Sequence, residues 1–97
     1  MYNEHTTFEF DPEKEAGNFQ KHGVSFEQAI GVFGDPHLIN APDLKHSQKE
    51  ERWYVIGRIS DGRIITVWYT LRGERARIIG AAELRKGRKE YEKRKIS

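Results

Sequence analysis

The chain has 97 residues, 36% hydrophobic and 33% charged, with no cysteine and a formal net charge of +2. That length suits one domain spanning 1–97, and the balance is that of a small folded protein with a wet surface. It excludes a disulfide frame and a thiolate metal site, and no apolar run approaches the roughly 20 residues that cross a bilayer.

Residues 6–10 alternate and predict a first strand. Asp11-Pro12 predicts a helix start, since Asp accepts orphan amide hydrogens and Pro fits the first turn. This helix is expected to bury Ala16 and Phe19, run to about His22 and stop at Gly23. Ser25 followed by Gln28 reads as a capping box, and Phe26, Ala29, Ile30 and Phe33 then form one apolar stripe on a second helix. Residues 37–40 predict a short strand and 41–49 a polar loop. Residues 52–60 and 63–71 are β-rich runs joined by Asp61-Gly62, a two-residue hairpin signal. Arg72-Gly73-Glu74 turns into a further strand over 75–82. From Glu83 the pattern is helical, with Leu84, Arg88 and Tyr91 on one face. The order β-α-α-β-β-β-β-α predicts an α+β domain. Its antiparallel sheet has four to five strands, with helices covering one face and the other open to water or ligand.

The small net charge hides an asymmetry. Residues 1–50 hold four Lys/Arg against nine Asp/Glu, and residues 51–97 hold thirteen against six. The basic half suits a polyanion and the acidic half a basic partner. The N-terminus lacks the basic-then-apolar order of a secretory leader, which makes the cytoplasm the expected location.

Metal-ligand spacings, a Gly-rich phosphate loop and a Gly-x-Ser-x-Gly elbow are all absent from the sequence, which disfavours metal and nucleotide enzymes. No cofactor is expected. By strand parity Arg52, Tyr54 and Arg58 share one face and Trp53, Val55 and Ile59 the other; Thr66, Trp68, Thr70 and Arg72 alternate against Ile65, Val67 and Tyr69. Val55, Ile59, Ile65 and Val67 read as helix-facing core, leaving Arg52, Tyr54, Thr70 and Arg72 on the open face. Guanidinium groups grip phosphate bidentately and aromatic rings stack on unpaired bases, so this set suits RNA; the alternative is a solvated face laced with ion pairs. Lys21-His22 either complements a helix C-terminus or supplies a phosphate contact and a proton carrier. His46 falls in the polar loop, and Glu50 and Glu51 are candidate bases or surface carboxylates. Residues 85–95 hold seven basic side chains in eleven, among which Arg88 is expected to point inward and to need an anion.

Several runs resemble the BrnT family of toxins. The opening carries Phe10-Asp11-Pro12, then Asn18-x-x-Lys21-His22-Gly23-Val24-Ser25-Phe26-Glu27-x-Ala29. Further matches are Phe33-x-Asp35-Pro36, His46, Glu51-Arg52, Gly57, Val67, Arg77-Ile78-Ile79 and Arg88-x-x-Tyr91. The resemblance covers nearly the whole chain and implies a RelE-like ribonuclease that blocks translation. It also implies a ribbon-helix-helix antitoxin (BrnA-like) in a hetero-oligomer, with DNA reached only through that antitoxin. The chain departs from the family pattern at Ala82, where an arginine is usual, and at Gly87, where an acid is common. With the resemblance in hand, Arg52, Arg72 and Arg77 are expected to grip phosphate, supported by Lys21. His22 and Glu51 are the expected proton carriers. Tyr54, Arg58, Trp68, Arg75, Arg88 and Tyr91 are expected to contact RNA, with Tyr91 or Trp68 stacking on a base. A weakened or inactive relative that binds RNA or antitoxin without cutting is the alternative, and an assembly partner is a third.

Overall fold

The computed structural model describes residues 3–46 and 49–96. The chain runs through β1 (Thr7–Glu9), α1 (Pro12–His22), α2 (Phe26–Ala29) continued by a 3-10 turn (Ile30–Gly34), β2 (Ile39–Pro42) and a second 3-10 turn (Leu44–His46). It then forms β3 (Arg52–Arg58), β4 (Ile64–Arg72), β5 (Arg75–Ala82) and α3 (Arg85–Ile96). This is the expected α+β order.

The local signals act as read. The Asp11 carboxylate accepts the Glu13 amide, Gly23 takes the left-handed conformation at φ 72°, and Ser25 and Gln28 cap reciprocally. The β3–β4 hairpin is one residue longer than expected. Ile59 N–H donates to the Arg63 carbonyl at 2.9 Å, and Gly62 at φ 96° completes a three-residue loop.

The sheet order is β1-β5-β4-β3-β2. Every neighbouring pair is antiparallel except β1–β5, which is parallel. The expected antiparallel sheet is thus present, with one parallel pair at its edge, where β1 docks beside β5 from the other end of the chain. Beyond β1 the edge of β5 is closed by a side chain. Asn18 donates to the carbonyls of Ala81 (2.9 Å) and Val24 (3.0 Å) and accepts the Ala81 amide at 3.2 Å. Helix α1 is thus held by an amide rather than by a greasy stripe. Ala16 is exposed and Phe19 is 54% exposed, contrary to expectation, because Glu15 and Asn18 take the inward positions. In the second helical segment the buried residues are Phe26, Ala29 and Val32. They fall three apart because a 3-10 turn, at three residues per turn, takes over after Ala29. Phe33 still packs on Phe8 and Tyr69, with ring centroids 4.7 and 5.3 Å away.

The main core lies on the face of the sheet that meets α1 and α2, and Val55, Ile59, Ile65 and Val67 are all in it as expected. Helix α3 packs on the opposite face, where Tyr91 joins Ile39, Ile56 and Ile64. The helices therefore do not all share one side. Tyr91 is buried and donates its hydroxyl to Asp35 Oδ2 at 2.6 Å, a carboxylate that also accepts the amides of Arg58 and His37. Gly87 lets α3 settle, since a Cβ there would collide with the Thr66 hydroxyl. Gly87 and Tyr91, four apart, form the docking stripe. Arg88 is one residue on from Gly87, hence about 100° round the helix, and points to solvent where it pairs with Glu92 at 2.8 Å. The inward arginine expected at this position is corrected. Leu84 lies ahead of the helix and is 38% exposed. Among the described residues, no helix is long and apolar enough to cross a membrane.

Candidate functional site

Because α3 covers only the Ile56–Thr66–Ala82 end of its face, no helix covers the remainder, although Thr70 in its middle is buried among the surrounding side chains rather than open as expected. The register sets that remainder out in rows. Arg52, Thr70, Arg77 and Glu9 line up across β3, β4, β5 and β1; Arg72, Arg75 and Thr7 form the next row outward; Tyr54, Trp68 and Gly80 form the next row inward. A bulge at Trp68/Tyr69 restores the parity that keeps Arg77, Gly80 and Ala82 on one side. With strands about 4.8 Å apart and same-face residues about 6.8 Å apart, four arginine side chains start within roughly 10 Å of the sheet's middle strand.

Carboxylates temper this charge without cancelling it. Glu9 shares its oxygens between Arg77 Nη1 at 2.7 Å and Arg75 Nε at 3.2 Å, so one anion serves two cations. Arg72 Nη2 stands 3.3 Å from Glu50, both about half exposed, which leaves the pair screened and easily exchanged for another anion. Beside the rows lies a cleft of about 430 Å³ lined by Lys45, His46, Lys49, Glu50 and Arg52. A second pocket of about 310 Å³ shares Lys45 and His46 with it and extends over Tyr54 and Trp68 to α3.

His46 sits where the two meet. Its Nδ1 lies 3.0 Å from Asp43 Oδ2 and 3.2 Å from Oδ1, on the turn at Leu44–His46. The Asp43 side chain is only 11% exposed and is fixed at the end of β2, where its amide donates to the Arg52 carbonyl at 2.7 Å. A largely buried carboxylate holding Nδ1–H orients the ring and leaves Nε2 to exchange protons with whatever enters the cleft. Burial, reinforced by the nearby charges of Glu90 and Asp43, pushes the Tyr54 phenol up, so it remains a neutral hydroxyl. Among the described residues, no group of three or more His, Cys, Asp or Glu side chains is placed to hold a metal ion.

The expected site residues divide accordingly. Arg52, Arg72, Arg75, Arg77, Tyr54 and Trp68 come together on the uncovered face. Lys21 and His22 do not. They end α1 beside Gly23, whose carbonyl accepts Arg63 Nη1 at 3.0 Å, and Arg63 stands seven residues before Thr70, roughly 20 Å along the strand. Glu51 is exposed just ahead of β3, and it is Glu50 that meets Arg72. Arg58 is spent on α3's support: its Nη1 donates to the Gly62 carbonyl at 2.7 Å and its guanidinium lies 5.9 Å from the Tyr91 ring centre. Tyr91, buried and bonded to Asp35, has no ring face to offer a base, and Arg88 lies on the outward side of α3. Sequence reasoning missed Asp43, Lys45 and Glu9. The signal for the first was an Asp three residues before a His in a polar loop, a spacing that brings both onto one turn.

The family described as "Ribonuclease toxin, BrnT, of type II toxin-antitoxin system" matches residues 10–96. The chain belongs to the BrnT family. Its fold is similar to that of the Brucella abortus ribonuclease toxin BrnT, known from a 1.1 Å crystal structure, with a TM-score of 0.64 and 21% identity. That likeness covers 81% of this chain and 96% of the Brucella chain. A comparison with curated proteins finds no match. BrnT membership makes the chain a ribonuclease toxin of a type II toxin–antitoxin system and implies an antitoxin partner. Ala82 is 3% exposed and pairs with Thr66 under the start of α3, not among the arginine rows.

Proposed function

We propose that this BrnT-family chain is a metal-independent endoribonuclease that cuts RNA on the uncovered sheet face and thereby blocks translation. The observation that carries the reading is the row Arg52, Thr70, Arg77, whose Arg52 end shares a cleft with a histidine oriented by a largely buried aspartate. The ribose 2′-OH attacks the adjacent phosphorus and the 5′-oxygen leaves, producing a 2′,3′-cyclic phosphate and a 5′-hydroxyl. Arg52, Arg72 and Arg77 hold the phosphate and spread the charge that builds on its non-bridging oxygens. Lys45 and Lys49 at the cleft add positive field. Glu50, beside Arg72, takes the 2′-OH proton once phosphate draws Arg72 away, and His46 Nε2 gives a proton to the leaving oxygen; their shared lining of the cleft supports this division.

The same face is where a ribbon-helix-helix antitoxin of the BrnA type would silence the chain, offering carboxylates to the arginines and apolar anchors to Trp68 and Leu84. RNA incubated with the purified chain in EDTA is expected to yield cyclic-phosphate ends and to be protected by antitoxin. Intact RNA at high protein concentration overturns the reading. In that event the alternative holds, a binding module that grips RNA or antitoxin without cutting; the pairing of Glu9 with Arg75 and Arg77 favours it to the extent that it holds those arginines from substrate.

A further inference from the structure

The pocket between Tyr54, Trp68 and α3 is not used by any step of phosphodiester chemistry. We infer that it is a nucleobase subsite selective for guanine, a reading that rests on RNA being the substrate of the neighbouring cleft.

Shape comes first. Tyr54 and Trp68 are directly opposite each other on β3 and β4 and both line the pocket, so two aromatic rings are available to a base there. The cross-strand neighbour of Trp68 is Gly80, where a Cβ would stand 3.4 Å from the indole's Cε3. Leu84, just ahead of α3, lines the pocket together with Thr66, Ile56 and Gly87. The resulting volume, about 310 Å³, accepts a planar base with room to spare. It shares Lys45 and His46 with the cleft beside Arg52, so a nucleotide whose phosphate sits at Arg52 can turn its base inward. Aromatic platforms bind any base by stacking and do not choose among them.

Choice comes from the rim. Lys86 and Glu90 are four apart on α3, hence on the same side of the helix, and both line the pocket. An ammonium only donates and a carboxylate only accepts, through two oxygens side by side. Guanine alone presents one acceptor, O6, followed by two donors, N1–H and N2–H, along its Watson–Crick edge. Lys86 answers O6, and the Glu90 carboxylate answers both donors. Adenine and cytosine present one donor next to an acceptor, which a carboxylate repels; uracil presents one donor between two acceptors. Among the described residues, no hydrogen bond or ion pair engages the Glu90 side chain, whereas the pocket's other acid, Asp43, is committed to His46.

The test uses four-nucleotide 2′-O-methyl RNAs, which bind but lack the attacking hydroxyl, varied at one position among G, inosine, A, C and U. Fluorescence polarisation is expected to show the G ligand at least ~10-fold tighter than A, C or U. Inosine, which lacks the N2 amine, falls between. In Glu90→Gln, an exposed change checked by thermal melting, the G preference is expected to fall to within about 3-fold while binding of the A ligand is unchanged. Equal binding of all five ligands overturns the inference, as does a G preference that survives Glu90→Gln. Mapping of cut sites on ordinary RNA separates this from the parent reading. Selective binding without cutting refutes the nuclease alone, and cutting without base preference refutes the guanine pocket alone.

Discussion

Replacing Tyr91 by phenylalanine removes one oxygen and tests how α3 is held on the sheet. That oxygen donates at 2.6 Å to Asp35, whose carboxylate bridges the helix to the hairpin side of β3. Burial alone would raise the Asp35 pKa, but the hydrogen bonds from Tyr91, Arg58 and His37 outweigh it, and the net direction is downward. A hydrogen bond to a charged group contributes about 1.5–3 kcal/mol net. Asp35 keeps two amide donors after the change and is not fully enclosed, so the lower end applies, about 1.5 kcal/mol. For a domain of this size that lowers Tm by roughly 6–12 °C. The pH dependence has a definite sign. A carboxyl whose pKa is lower folded than unfolded contributes its stability fully above the unfolded value and loses it as pH falls through the folded one. The Tm gap between wild type and Tyr91→Phe is therefore expected to be full at neutral pH and to narrow below about pH 4. Calorimetry across that range is the assay. Equal Tm values at pH 7, or a gap that widens in acid, refute the reasoning.

Other variants probe other contacts. Gly87→Ala is expected to destabilise the chain even though alanine gains ~1 kcal/mol of helix propensity, and in a Thr66→Ala background the same change is expected to stabilise it. Denaturant melts of the four proteins read this reversal of sign. Ala82→Arg drives a charge under α3, and is expected to cost roughly 2–4 kcal/mol with no gain in cleavage. If Arg77 grips phosphate, the slope of log affinity against log salt for single-stranded RNA is expected to become shallower by about 0.7 in Arg77→Ala. An unchanged slope would remove Arg77 from the phosphate site.

Features written in contiguous residues were legible before any coordinates. The caps at Asp11 and Ser25, the stop at Gly23 and the inward–outward parity of β3 and β4 all depend on neighbours a few residues apart. The parity alone placed Arg52, Tyr54, Trp68 and Arg72 on one face. What was not legible depends on partners distant in the chain. Parallel pairing of β1 with β5 joins residues 7–9 to 75–77, and no local pattern encodes it. Helix α3 chose the second face because Gly87 and Tyr91 complement Thr66, Ile56 and Asp35, so the apparent Leu84–Arg88–Tyr91 stripe misled. The two histidines show the same limit. His22 ends a helix far from the arginines, while His46, in a polar loop, is carried by β2 to the edge of the cleft. Glu9 was read only as a strand residue because its role needs Arg75 and Arg77 beside it.

The central claim is that His46, and not His22, works with the arginine rows. Cleavage of one RNA in EDTA by wild type, His46→Ala and His22→Ala tests it directly. The account expects His46→Ala to slow cutting by about 10²–10⁴-fold and His22→Ala to change it less than about 3-fold. Wild-type cutting by His46→Ala, or a collapse of activity in His22→Ala alone, contradicts it.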